Sequence, residues 1–586
     1  MVQVKFTSAA RSVLYAVILT LLIVPVIFIG GASASPKPTG HIIYFYDVDR
    51  DGNTAITITV LYSGLTRGSS WVVVPAYTNW TYETSGGNLS YVEVKKILRN
   101  NSEDPFWKNF TFTFTSELEF LNLTISYVVP LYTFILEPNG IFYSSQIEYK
   151  SDLEGIAEVL LPEGSVVSSK SVKIITGSEV ESPSDLTIMP FPGKRVMVRC
   201  STEPNCRIMI PFILKNALIV EENYTLGVFT FHTAPRYADY AKRFLELYNR
   251  SLPIYEDVFG VHVESINVTF FLPSPEELLG GLGGYVPFLG KKPGDIHLNI
   301  FYLRTMSGFL EIIALHELTH QMVWYAGIGP SRLWVHEGMA EYFSLEIADI
   351  LGYKDAVEAH RRDLEIVLSS IGEKYGFVQT WSIGSTPSNV IAYYAASYKV
   401  FKTLGDKYGG LEYYKKFFRV IKDMPCKDDD TSLMTALGMA AGNVSEVLDM
   451  FRRWGFSGVK SIEEVVVILE RARKVVEELS LLLQPFKFIS ELLLSIALEA
   501  YHMGQYSRAL FYASSSMTIA ENALLLSVVT YGAFTVLIFK VVSKRLKPKP
   551  VRPVIMFCPN CGSRLPSDAL FCPYCGYSLK LLKTRS

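Results

Sequence analysis

Two histidines four residues apart could bind a single metal ion. They are His316 and His320 of the segment HELTH, inside Phe309–Tyr325, an apolar stretch without proline. Such a stretch predicts a helix, on which residues i and i+4 project from one face about one turn apart. Zinc accepts neutral imidazole nitrogen, and a catalytic zinc site needs a third protein ligand and an open position for water. Glu317 lies beside both histidines on this helix, where it could reach that water.

A second predicted helix, Arg332 to Ile350, offers the third ligand. Glu337 follows His320 by seventeen residues, which lets the chain turn and run an antiparallel helix past the first. Glu341 lies one turn further, and we expect it to accept the free N–H of a ligating histidine. His336 is a competing ligand, but on a helix it points about 100° away from Glu337. The remaining alternative, a helix with two partly buried histidines and a surface glutamate, leaves this second helix unexplained.

The two segments HELTH and WVHEGMAEYF resemble the gluzincin metallopeptidases, which pair HExxH with a glutamate from a later helix. The pattern is similar to the aminopeptidase group and to shorter-spaced, peptidase-MA-like relatives. The resemblance covers about residues 226–420 and implies an α+β, thermolysin-like catalytic domain. It implies a catalytic zinc held by His316, His320 and Glu337, with Glu317 as general base.

The same resemblance implies a catalytic tyrosine. Tyr394, fifteen residues before Gly409, occupies the place of the family's tyrosine, and Tyr393 and Tyr398 compete for the role. A phenolic O–H is a suitable donor to a developing oxyanion.

One family feature is missing. Aminopeptidases of this group carry a Gly-x-Met-Glu-Asn strand whose glutamate binds the substrate amine, yet no glutamate occurs here between Leu278 and Leu310. The strand Ile296–Ile300 could still bind an extended peptide by β-addition. The absence of this amine anchor therefore favours an endopeptidase over an aminopeptidase.

Four cysteines near the C-terminus predict a second metal site. They form two CxxCG segments ten residues apart, a spacing at which four thiolates can surround one structural zinc. The tail resembles a zinc-ribbon, and a tail this short needs the metal for its folding energy. Because it follows an apolar segment closely, we expect a cytoplasmic protein partner rather than nucleic acid. The ligands are Cys558, Cys561, Cys572 and Cys575.

Composition limits the remaining possibilities. The 586 residues are 49% hydrophobic and 19% charged, which excludes a mostly disordered chain and requires several folding units. The net charge of −2 provides no general basic field for nucleic acid.

Two apolar segments predict contact with a membrane. Val13–Gly30 is either an anchor or a signal peptide cleaved after Ala34, and Ala523–Phe539 is followed by a run of basic residues. The basic flanks place both termini in the cytoplasm and the chain between them outside. Nine Asn-x-Ser/Thr sequons agree with a glycosylated exterior, and none follows residue 542. They start at Asn79, Asn88, Asn100, Asn109, Asn122, Asn223, Asn249, Asn267 and Asn443.

The periodicity of hydrophobic residues changes along the chain and predicts several domains. Alternating strands predict one or two β-sandwich units, and Cys200 and Cys206 predict a disulfide on the oxidising side. The predicted domains are 1–39 signal peptide or anchor, 40–225 β-sandwich, 226–455 catalytic domain, 456–521 α-helical stalk, 522–542 transmembrane helix, and 543–586 basic linker and zinc-ribbon.

These observations predict a membrane-anchored zinc metallopeptidase that cleaves peptides or proteins outside the cytoplasm. Two alternatives stay open: a catalytically silent surface binding or sensor protein, and a hydrolase of a small non-peptide substrate. Glu317 argues against the silent scaffold, because such a scaffold has no need of a general base.

Overall fold

The computed structural model describes residues 40–99, 102–289, 292–385, 387–424, 427, 429–503, 505–545 and 555–579. The apolar segment Val13–Gly30, Cys426 and the basic linker after residue 545 lie outside the described residues. The chain forms two compact units. The first extends to Glu464 and includes His502–Tyr506, and the second consists of Val465–Tyr501 and Ser507–Ser586.

The first part of the first unit is a β domain of sixteen strands, which confirms the predicted β-rich region. The strands are β1 (Gly40–Val48), β2 (Thr54–Ser63), β3 (Arg67–Pro75), β4 (Trp80–Ser85), β5 (Asn88–Arg99), β6 (Ser102–Thr115), β7 (Phe120–Val129), β8 (Thr133–Leu136), β9 (Asn139–Tyr143), β10 (Leu153–Leu161), β11 (Ser165–Val166), β12 (Lys173–Thr176), β13 (Glu179–Glu181), β14 (Thr187–Phe191), β15 (Arg195–Thr202) and β16 (Cys206–Leu214).

Three sheets of this domain share one apolar core. Their strand orders are β14-β15-β10-β1-β2-β7-β4, β13-β12-β16-β9-β8 with β11 also on β16, and β3-β6-β5. Every second residue of β1 and β2 is buried, as the alternation in the sequence predicts. Ile42 and Ile58 of the first sheet, Ile208 of the second and Phe112 of the third belong to the same core.

The predicted disulfide between Cys200 and Cys206 is wrong, because both residues are free cysteines. Cys200 lies on β15 in one sheet and Cys206 on β16 in another, and both side chains fill the shared core. Burial raises the pKa of the Cys200 thiol to about 12 and that of Cys206 to about 11. Oxidation proceeds through the thiolate, so the raised pKa values slow the oxidation of these thiols.

The second part of the first unit has a mixed sheet of order β17-β18-β19-β23-β20. Its inner strands β18, β19 and β23 run parallel, and the edge strands β17 and β20 are antiparallel to their neighbours. The strands of this part are β17 (Glu222–Leu226), β18 (Phe229–Thr233), β19 (Ile266–Phe271), β20 (Gly284–Tyr285), β21 (Phe288–Leu289), β22 (Lys292–Pro293) and β23 (Ile296–Asn299). The predicted domain boundary at residue 225 therefore falls inside β17.

Nine helices accompany this sheet among the described residues. They are α1 (Ala238–Phe259), α2 (Pro275–Leu279), α3 (Phe309–Tyr325), α4 (Leu333–Ile350), α5 (Lys354–Ile371), α6 (Val390–Tyr408), α7 (Leu411–Asp423), α8 (Asp430–Ala441) and α9 (Val444–Arg453). Helix α4 packs against both α3 and α6.

Helix α1 fixes the position of α3. The Tyr255 hydroxyl donates to the carbonyl oxygen of Leu315 at 2.9 Å and lies 2.8 Å from the hydroxyl of Thr319. All of α3 from Phe309 to Val323 is buried, because α3 lies between the sheet and the other helices. An almost wholly apolar helix is expected in such a place.

The region after residue 456 is helical, and the last helix is long and apolar. The helices are α10 (Val459–Glu477), α11 (Phe486–His502), α12 (Tyr506–Glu521) and α13 (Ala523–Arg545). Ala523–Ser543 has a mean hydropathy of 2.0, and 6% of that window is buried. By length and composition this helix could cross a bilayer.

The described tail is a small β hairpin with two cysteine turns. Strand β24 (Ile555–Phe557) pairs with β25 (Arg564–Pro566). Its core consists of Cys558, Leu565, Cys572 and Leu579.

Candidate metal-binding active site

Helices α3 and α4 bring three side chains to one point. His316 and His320 lie on α3, and Glu337 approaches them from α4. The Oε2 atom of Glu337 lies 3.2 Å from Nε2 of His316 and 3.6 Å from Nε2 of His320. One ligand atom from each residue lies within 4.8 Å of the others, and all three residues are buried. The structure therefore brings the three predicted ligands close enough for a single ion to bridge them.

The polar atoms of this cluster fit a divalent cation. Glu337 Oε1 and Glu317 Oε2 are buried and make no hydrogen bond of ordinary geometry with any described residue. A buried carboxylate without a partner is costly, and a bound cation would remove that cost. Two imidazole nitrogens and one carboxylate oxygen are also a ligand set of catalytic zinc. The residues present thus fit zinc.

The pKa shifts of the cluster also favour a bound cation. Burial lowers the pKa of His320 to about 3, so its imidazole is neutral, as metal ligation requires. Burial raises the pKa of Glu317 well above its usual range, and the carboxylates of Glu337 and Glu341 add to the rise. Burial also raises the pKa of Glu337 to about 7, against the opposing effect of His316. Three buried carboxyl groups in one place favour a cation among them.

The backbone of β20 passes directly beside the predicted general base. A Cβ added at Gly284 would lie 2.8 Å from Cγ of Glu317 and 2.9 Å from the carbonyl oxygen of His297. Only glycine therefore fits at this position without a shift of its neighbours. The strand forms one edge of the sheet, so its outer side pairs with no other strand among the described residues.

The prediction that an extended peptide pairs with the strand Ile296–Ile300 is wrong. The observed strand Ile296–Asn299 pairs with β19 on one side and with β20 on the other. The edge is instead Gly284–Tyr285, a strand of two residues, which is too short for an alternating pattern to show in the sequence.

Tyr394 of α6 lies close to the metal cluster. Its ring centroid is 6.4 Å from that of His316. Its hydroxyl is buried and makes no hydrogen bond of ordinary geometry with any described residue. Burial and then the carboxylate of Glu337 raise its pKa well above the ordinary value, so the hydroxyl remains a proton donor.

The two competing tyrosines have other partners. The hydroxyl of Tyr393 lies 3.0 Å from that of Thr380. Tyr398 interacts with the guanidinium of Arg361. The buried hydroxyl beside the cluster is therefore that of Tyr394.

His336, the competing ligand, contacts His320 at Nδ1, the ring nitrogen that does not face Glu337. Its Nε2 lies 2.9 Å from the carbonyl oxygen of Ile328, and its Nδ1 lies 3.4 Å from Nδ1 of His320. A carbonyl only accepts, so Nε2 of His336 carries the proton and its Nδ1 accepts from Nδ1 of His320. Burial lowers the pKa of His336 to about 3, which keeps this ring neutral. The contact fixes the tautomer of His320 so that its Nε2 faces Glu337.

Sequence reasoning did not find that role for His336. The signal was a histidine one position before the glutamate ligand. Helix geometry turns the side chain of this histidine toward the back of the first helix.

Glu341 makes a contact that the sequence did not predict. Its Oε2 atom lies 3.1 Å from Nε2 of His360 on α5, and both residues are buried. Its expected hydrogen bond to a ligating histidine stays a prediction.

The four C-terminal cysteines form a second cluster. Their ligand atoms lie within 4.8 Å of one another, with Sγ of Cys558 at 3.6 Å from Cys575 and Sγ of Cys561 at 3.5 Å from Cys572. Each half closes with the same turn, in which the glycine N–H donates to the carbonyl of the first cysteine at 2.9 Å. Four thiolates so arranged fit one tetrahedral zinc.

Comparisons with known proteins give one family match in the tail and several similar solved structures. Residues 557–579 match the family model of the zinc-ribbon domain. No curated protein sequence matches the chain. Similar solved structures include native leukotriene A4 hydrolase from Saccharomyces cerevisiae, at 12% identity over 85% of this chain and 85% of that one, with a TM-score of 0.32. Another is the M1 zinc metallopeptidase from Deinococcus radiodurans, at 16% identity over 72% of this chain and 93% of that one, with a TM-score of 0.27.

Proposed function

We propose that this protein is a zinc-dependent peptidase. The observation that carries the proposal is the convergence of His316, His320 and Glu337 next to a second buried carboxylate, Glu317. When bound by the three ligands, zinc supplies Lewis-acid activation of water and of the substrate carbonyl.

The chain's own residues supply the proton transfers and the positioning. Glu317 accepts a proton from water and returns it to the leaving amine, a role that its buried oxygen without a hydrogen-bond partner suits. Tyr394 donates to the oxygen on which negative charge develops. The outer edge of β20 pairs with the substrate backbone, and Gly284 lets that backbone pass close to Glu317.

We propose an endopeptidase rather than an aminopeptidase. No glutamate occurs between Leu278 and Leu310, so the edge strand β20 itself carries no such anchor for a substrate amine. An extended peptide that pairs with a strand edge needs no free N-terminus, because main-chain hydrogen bonds hold it.

We further propose that the catalytic domain lies outside the cytoplasm and is anchored by α13. The apolar window of α13 and the basic residues that follow it support this orientation, as do the sequons upstream. The zinc-ribbon then lies in the cytoplasm and contacts a protein partner there.

The test uses the full-length chain in a mild detergent. It should cleave an internally quenched peptide blocked at its N-terminus, and a zinc chelator should stop the cleavage. Glu317→Gln should keep its zinc and lose turnover, whereas Glu365→Gln, a change at an exposed site on α5, should keep both. Cleavage by Glu317→Gln at the wild-type rate would refute the scheme. A zinc-loaded wild type that cleaves no peptide would favour the silent scaffold or a non-peptide substrate.

A further inference from the structure

A second cavity lies in the first unit, away from the metal cluster. Its volume is about 340 Å³, and its walls come from the β domain and from the segment that leads into α3. The walls are largely aromatic, with Tyr77 and Trp107 from the β domain and Phe301 from the segment before α3. None of the lining residues belongs to the metal cluster.

Two arginines, one from each side, reach this cavity. Arg304 belongs to the segment before α3, and its guanidinium lies 4.9 Å from the ring centroid of Tyr132 and 5.8 Å from that of Tyr143. Its Nη1 donates to the carbonyl oxygen of Tyr143 at 2.9 Å. Arg207 of β16 lies 5.8 Å from the same Tyr143 ring. The aromatic rings thus hold two guanidinium groups in fixed positions.

The cavity contains no negative charge to match these arginines. No aspartate or glutamate lines it, and neither Arg207 nor Arg304 forms an ion pair with any described residue. Burial lowers the pKa of Arg304, and the positive charge of Arg207 adds to that effect. Each guanidinium has five donors, and the contact to Tyr143 uses one donor of Arg304. Two positive charges with spare donors, and no carboxylate among the lining residues, suit the cavity to an acceptor with negative charge.

We propose that this cavity binds a small organic anion that has an aromatic or aliphatic body and one carboxylate or phosphate group. The guanidinium groups match the planar oxygens of either group, and the aromatic walls cover the body. This site is independent of the proposed peptidase chemistry, since the two clusters share no residue.

The experiment measures binding of a fluorinated probe to the full-length chain in detergent by ligand-observed ¹⁹F NMR. The probe is 4-(trifluoromethyl)phenylacetate, and the control is the matching neutral alcohol, which reports partition into the detergent. Competition with phenyl phosphate, phenylacetate and inorganic phosphate distinguishes a phosphate from a carboxylate ligand. The variants are Arg207→Met and Arg207→Lys, with Arg199→Met as matched control, because Arg199 is exposed and pairs with Glu158.

The proposal predicts that the acid binds and the alcohol does not. Arg207→Met should weaken binding by at least about tenfold, since a hydrogen bond to a charged group is lost. Arg207→Lys should retain part of the affinity, and Arg199→Met should bind as wild type. Equal binding of acid and alcohol would overturn the proposal, as would unchanged binding by a folded Arg207→Met variant. In either case the arginines serve only to hold the two parts of the unit together. If Arg207→Met does not fold, Arg207→Lys decides in the same way.

Discussion

Gly284→Ala is the change that most directly tests the geometry around the general base. The added Cβ would lie 2.8 Å from Cγ of Glu317, whereas ordinary van der Waals contact begins at 3.4 Å. The opposite side offers no room, because the carbonyl oxygen of His297 lies 2.9 Å from the same position. The strand or the Glu317 side chain must therefore move by about 0.6 Å.

The size of the expected effect follows from that movement. A misplacement of about 1 Å can cost roughly 100-fold in rate, so a shift of about half that size predicts a fall in kcat of about tenfold. The zinc content should not change, because the substituted position contacts Glu317 and not the three ligands.

The assay follows kcat on the quenched peptide and zinc per chain by mass spectrometry. Gly532→Ala is the matched control, since nothing lies within 4 Å of the added carbon at that position. A Gly284→Ala enzyme with wild-type kcat would contradict the placement of β20 beside Glu317. Loss of zinc together with activity would show that the strand supports the ligands rather than the base.

Three further changes test other parts of the site. Tyr394→Phe should lower kcat by about 100-fold with little change in KM, because it removes a donor to the oxyanion. Tyr393→Phe should leave kcat unchanged in the same assay, and equal effects of the two changes would contradict the role of Tyr394. His336→Phe should weaken zinc binding by about 10- to 100-fold in chelator competition, because His320 loses the partner that fixes its tautomer. An unchanged affinity for zinc would refute that role of His336. Cys561→Ser should make the tail sensitive to limited proteolysis and should remove one zinc per chain, while peptidase kcat stays the same. A tail that still resists proteolysis would mean that its folding does not depend on the metal.

The sequence predicted that the three side chains of the candidate metal cluster lie together, because the signal for this proximity is local. Two helices with the right spacing fix where His316, His320 and Glu337 project, and helix geometry leaves few alternatives. Phe309–Val323 of α3 is buried, so the apolar pattern around the two histidines indicates a core helix.

The features that the sequence missed depend on contacts between distant segments. The edge strand Gly284–Tyr285 is defined only by its pairing with β23 and by its distance to Glu317. The interpretation of Cys200 and Cys206 failed because their spacing suggested a loop bridge, whereas both are free cysteines buried in the core of the β domain. Strand β17 crosses the predicted boundary because its pairing partner, β18, lies after that boundary.

The pair of arginines in the second cavity is another case of this kind. Arg207 and Arg304 are almost one hundred residues apart in the sequence, and nothing in their neighbourhoods marks them. They meet because the β domain and the segment before α3 pack together around the cavity.

The most direct test of the zinc site is a crystal structure of the purified full-length chain with anomalous scattering data at the zinc edge. We expect a peak bound by Nε2 of His316, Nε2 of His320 and the carboxylate of Glu337, at about 2.0–2.2 Å from each. We also expect a fourth position open to solvent and a second peak among the four C-terminal cysteines. A peak ligated by His336 in place of Glu337, or no peak between α3 and α4, would contradict the account.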